Sequence, residues 1–107
     1  MSKSRIVLTK VLETVSKETD IPASVIMSRC SLAEVVDARW ICVKLLNLYG
    51  YYTSKIAELM HITPRYVQYI ITDFDDRILF NRLMRTNYER IRKILGIVGE
   101  TTDLALN

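Results

Sequence analysis

SKIAELMHITPRYVQYI (residues 54–70) decides how this chain is read. Ile56, Leu59 and Met60 give a short helix an inward face, and Ala57 is small enough for a second helix to cross close over it. His61 stands at a tight turn where a left-handed residue is needed, a conformation that histidine tolerates better than most residues other than glycine. Thr63 then offers a hydroxyl N-cap, and Pro64 occupies the first helical position, where its missing N–H costs nothing. Advancing about 100° per residue from Pro64 collects Val67, Ile70, Ile71 and Phe74 on one side. Arg65, Tyr69 and Thr72 project opposite, with Gln68 at the flank. The pattern is a helix-turn-helix over about 53–72, with a second helix over about 64–72.

Outward from this stretch the chain reads as helix throughout. Val7, Leu8, Val11, Leu12 and Val15 recur at helical spacing, and Thr19-Asp20-Ile21-Pro22 ends the segment. Asp20 or Ser24 is expected to cap a short helix reaching Met27, followed by the polar, basic connection SRCS (28–31). Ser31 with Glu34 forms a capping-box pattern ahead of an apolar run from Leu32 to Tyr49, closed by a left-handed Gly50. Apolar residues cover nearly every face of that run, which predicts a helix surrounded by others. Asp73, Asp75 and Asp76 favour the start of a further helix carrying Met84, Tyr88, Ile91 and Leu95. The expectation is an all-α, compact multi-helix domain over 1–96 and a flexible tail over 97–107.

The composition narrows the function. The 107 residues suffice for one core, with half of them apolar, a quarter charged, and a net charge of +3. The opening residues lack a secretory apolar stretch and no membrane span follows, so a soluble cytoplasmic protein is expected. Cys30 and Cys42 fit no zinc or redox spacing and are read as reduced thiols, Cys42 in the core. No glycine-rich cofactor loop, metal cluster or histidine-carboxylate arrangement is present, so neither an enzyme nor a cofactor or metal is expected.

Arginine matches guanine O6 and N7, and glutamine matches adenine N6 and N7. Residues at the start of a recognition helix reach base edges, which nominates Thr63, Arg65, Tyr66 and Gln68 as base readers in the major groove. Tyr69 and Thr72 lie nearer the backbone, and Thr53, Ser54 and Lys55 open the preceding helix, whose free N–H groups suit a phosphate. Arg77, Arg82, Arg85, Arg90, Arg92 and Lys93 read either as a solvated face or as a track along the phosphates. The stripe Met84, Tyr88, Ile91 and Leu95 could pair with a second copy into a homodimer. Arg39 is read as a buried arginine held by a carboxylate and helix-end carbonyls rather than as a phosphate contact, and Asp37 as too near in sequence to face it.

With EVVDARWICVKLL (34–46) added, the chain resembles the C-terminal duplex-DNA-binding domain of the bacterial replication initiator DnaA. The resemblance covers about Val11 to Ile78, with Arg29, Glu34 to Arg39 and Ser54 to Ile70 in the places of the family's basic connection, preceding helix and helix-turn-helix. It implies a fold like that of the Trp repressor and double-stranded DNA as partner. It also implies a minor-groove role for Arg29, beside a recognition helix in the major groove. The recognition helix opens ITPRYV, with Pro64 where the family carries histidine and Arg65 where it carries threonine. Without a Gly-x4-Gly-Lys-Ser/Thr motif for ATP, the chain resembles a small stand-alone relative acting in transcription or replication control. The competing expectation is a protein-interaction module that keeps the fold without binding DNA.

Overall fold

The computed structural model describes residues 2–97, which form six α-helices and no strand. In chain order these are α1 (Lys3–Thr19), α2 (Ala23–Ile26), α3 (Ala33–Leu48), α4 (Thr53–Met60), α5 (Pro64–Leu79) and α6 (Arg82–Leu95). The radius of gyration of 13.0 Å is that of a compact domain of this length. The expected tail lies outside the described residues from 98 onwards.

Helix α3 is the central post. Every residue from Ala38 to Leu46 is buried, and all five other helices pack on it. The apolar stripe of α1 covers one side through Leu8, Val11 and Val15, while Val67, Ile70 and Phe74 of α5 cover another with no exposed surface on any of the three. Gly50 takes φ +102°, and Tyr51 N donates to Leu46 O (3.2 Å) while Gly50 N donates to Asn47 O (2.9 Å). Those two bonds satisfy the last carbonyls of α3 in the Schellman arrangement.

Three expected helix starts are corrected. Pro22, not Asp20 or Ser24, precedes α2, and no side chain caps it; Asp20 instead closes α1 in the left-handed region with φ 60°. Helix α3 begins one residue later than the capping box requires, at Ala33 after Leu32, so Ser31 caps nothing. The connection is tied from beneath instead: Arg39 Nε donates to Ile26 O (3.0 Å), and Nη2 donates to Ser28 O (2.7 Å) and Cys30 O (3.0 Å). Arg39 is thus buried on helix-end carbonyls as expected, but among the described residues no carboxylate joins it.

The third correction concerns Asp73, Asp75 and Asp76, which lie inside α5 rather than at a helix start. Phe74 and Ile78 keep the apolar period running past them, so α5 continues to Leu79, and α6 is capped by Asn81, whose Oδ1 accepts from Met84 N (3.0 Å). Cys42 is fully buried, and burial pushes its thiol from an ordinary 9.0 up to about 12 against the opposing charge of Arg39. It is an inert core thiol.

Candidate nucleic-acid interface

Helix α4 ends where His61 turns left-handed (φ 58°, ψ 43°) and Ile62 N donates to Ala57 O (3.1 Å). Thr63 then caps α5, its Oγ1 accepting from Tyr66 N (3.1 Å), with Pro64 in the first turn. These local bonds set the angle between α4 and α5, and the burial of Ile56, Ala57, Leu59, Met60, Val67 and Ile70 holds it.

The opposite face of α5 is left to solvent. Thr63, Pro64, Arg65, Gln68, Tyr69 and Thr72 are exposed, and Arg65 has no hydrogen bond or ion pair to any described residue. Gln68 is already engaged: Thr53 Oγ1 donates to its Oε1 (3.3 Å), and its Nε2 donates to Thr72 Oγ1 (3.3 Å). That chain brings the start of α4 and the face of α5 together, with Ser54 exposed beside it. Lys55 is partly spent, its Nζ lying 3.4 Å from Glu58 Oε2.

Tyr66, named above as a base reader, is half-buried, and its hydroxyl accepts from Trp40 Nε1 at 3.2 Å. Its ring stacks with Tyr69 (centroids 6.4 Å, 18° between planes), and Tyr69 meets Trp40 edge-on at 5.6 Å. Tyr66 therefore acts first as a bracket between α5 and α3. Trp40 belongs to the core, with only its indole edge serving this bracket.

Arg29 is exposed and lines an open groove of about 640 Å³ between the 28–31 connection and the turn before α5. His61, Thr63 and Tyr66 line the same groove, so the residue expected to enter a minor groove and the start of the expected recognition helix share one surface. His61, expected only as a turn residue, also lines this groove. The signal that could have placed it here is a polar ring between apolar Met60 and Ile62, and it is exposed while Met60 is buried.

The late basic residues are mostly committed to the fold. Arg77 lies in α5 and pairs with Asp37 (Nη2 to Oδ1, 2.7 Å), its guanidinium 4.6 Å above the Trp40 ring. Arg85 Nη1 donates to Ile78 O (2.9 Å) and Leu79 O (3.2 Å), closing the end of α5. Arg90 lies 3.7 Å from Glu18, and buried Arg92 donates to Ile97 O (3.2 Å). Arg82 and Lys93 stay exposed without such partners among the described residues, too few for a continuous phosphate track. Met84, Tyr88 and Ile91 are buried in the chain's own core with Leu95 packed against it, so that stripe is not open to a second copy.

Among the described residues no helix is long and apolar enough to cross a membrane, and no group of three or more His, Cys, Asp or Glu is placed to hold a metal ion. No family model matches the chain, and neither a curated protein nor a solved structure does.

Proposed function

We propose that the chain is a cytoplasmic, sequence-specific duplex-DNA-binding domain, without chemistry of its own, that acts by occupancy in transcription or replication control. In this reading α4 and α5 form a helix-turn-helix of the Trp-repressor-like kind found in the DnaA C-terminal domain. The first turns of α5 enter the major groove. Arg65 and Gln68 read base edges, with Thr63 beside them, while Arg29 follows the minor groove and Thr53, Ser54, Lys55, Tyr69 and Thr72 meet the backbone.

The observation that carries this reading is the contrast along one helix: Val67, Ile70 and Phe74 have no exposed surface, while Arg65 on the opposite side is exposed and has no partner among the described residues. A donor fork carried on a helix that is anchored from its other side, and itself left unpaired, is what groove reading requires. The shared surface of Arg29 and Thr63 adds a second point of contact on the same side.

A second reading, a protein-interaction module, is favoured by the acidic second half of α5 and by the late arginines being bound within the fold. Titration of mixed-sequence duplexes at rising salt separates the two. DNA binding predicts an affinity falling linearly on a log–log plot with a slope near −0.9 per phosphate neutralised. A folded protein that binds no duplex at low salt would establish the interaction module instead.

A further inference from the structure

At the far end of α5 the surface changes character. Leu79, Phe80 and Leu83, at the corner between α5 and α6, are 63, 85 and 71 % exposed, an apolar shelf that the chain leaves uncovered. Beside it opens a cleft of about 380 Å³ with Tyr69 and Phe80 as walls and Asp73 and Asp76 at its sides.

The polar groups of the cleft floor are already satisfied. Asp37 neutralises Arg77 and also accepts from Asn81 Nδ2 (3.0 Å); Asn81 Oδ1 holds Met84 N, and Trp40 Nε1 holds the Tyr66 hydroxyl. Asp73 and Asp76 have no partner among the described residues. With Arg77 cancelled by Asp37, the cleft carries two uncompensated negative charges between aromatic walls. What fits is an ammonium on an aliphatic stem, the stem lying on Phe80 and Tyr69 and the charge between the carboxylates.

The complementary surface lies on the same chain. Lys3, Ile6, Lys10 and Lys17 project from one side of α1 at helical spacing, all exposed, with Ile6 54 % exposed among the lysines. Glu13 is the one acid on that face. Helices α1 and α5 both pack on α3, with no substantial contact between them, so the lysine face of a molecule cannot fill its own cleft. We propose that the α1 face of one copy docks on the Asp73–Asp76–Phe80 surface of a second copy, in a head-to-tail contact. In a head-to-tail contact each pairing leaves one cleft and one α1 face open, so further copies add, into an open chain or a closed ring. Asp73 lies about 12 Å along the helix from Arg65, and Tyr69 belongs both to the cleft and to the proposed DNA face, so a docked copy and a duplex meet at that residue. The inference does not rest on DNA binding.

The test is sedimentation of the full chain over a range of concentrations, at low ionic strength and at about 0.5 M salt, where screening acts within about 4 Å. The wild-type mass should rise with concentration at low salt without a plateau at two copies, and fall back to the monomer at high salt. A D73K/D76K variant and a K3E/K10E variant, each checked for helicity, should each associate at least about tenfold more weakly, the scale of two exposed ion pairs turned to repulsion. Phe80→Ala probes the same surface without a charge change and should weaken association as well. Mixed together, the two charge variants should associate again, since the unchanged α1 face of one meets the unchanged cleft of the other, and the reversed pair, Glu on α1 with Lys in the cleft, is complementary as well. A wild type that stays monomeric at low salt, an association that survives both reversals, or a mixture that stays monomeric would each overturn the proposal.

Discussion

Asp37 and Arg77, forty residues apart in sequence, meet with Oδ1 2.7 Å from Nη2 and 2.9 Å from Nε, while Oδ2 accepts from Asn81 Nδ2 at 3.0 Å. One carboxylate on α3 therefore holds both the end of α5 and the residue that caps α6. Both partners of the ion pair keep some exposure, 33 % for Arg77 and 19 % for Asp37, so its worth lies below that of a fully buried pair.

Asp37→Ala should lower stability by about 1–2 kcal/mol, because it removes a two-point ion pair and leaves Asn81 without that acceptor. Urea unfolding followed by helicity measures this as a lower midpoint at unchanged slope. An unchanged midpoint would mean that the pair is no more than a surface contact.

Arg65→Ala removes an exposed side chain with no partner among the described residues, so stability should change by less than about 0.5 kcal/mol. Discrimination between the preferred duplex, found by selection from randomised DNA, and random sequence should shrink by about 1–3 kcal/mol. Equal losses on all sequences would remove Arg65 from the reading role.

Lys55 and Glu58 predict opposite effects from one turn of α4. Lys55→Ala should weaken all duplexes alike and lower the salt slope by about one. Glu58→Gln releases Lys55 from its 3.4 Å partner and takes a negative charge from the proposed interface; it should tighten duplex binding at low salt by about threefold, the scale of one exposed charge pair. Weakening by Glu58→Gln would place α4 away from the phosphates.

The Cys42 thiol should resist alkylation in the folded protein and react only on unfolding, since burial holds its proton on up to about 12. The unfolded thiol ionises near 9.0, so between pH 9 and 12 the unfolded state binds fewer protons and stability falls as pH rises. This contribution is fully present below pH 9. Thermal melts across the alkaline range would show it as a decline that Cys42→Ala, compared against its own neutral-pH stability, lacks.

Local chemistry was legible where a residue and its immediate neighbours settle the geometry. Thr63 and Pro64 start α5, Gly50 ends α3, and His61 turns the chain, because each acts through backbone bonds within a few residues. The all-helical class and the buried α3 follow from apolar spacing, which counts residues without needing to know their partners. Acidic residues misled at 73–76, since a helix-start preference of a few tenths of a kcal/mol cannot interrupt an apolar period that continues through Phe74 and Ile78.

By itself the sequence determined which segments coil, which of their faces turn inward, and that Arg65 stands opposite Val67 and Ile70 with Gln68 at the flank. Tertiary structure alone decided how the charges and rings were spent. It bound Arg77 to Asp37, Arg85 to the end of α5, Arg39 to the 28–31 connection and Tyr66 to Trp40, and it left Phe80 bare beside two carboxylates with no partner among the described residues. Helical periodicity fixes the direction of a side chain on its own helix. Whether that direction meets a partner depends on how distant helices are packed, and no short-range pattern encodes that.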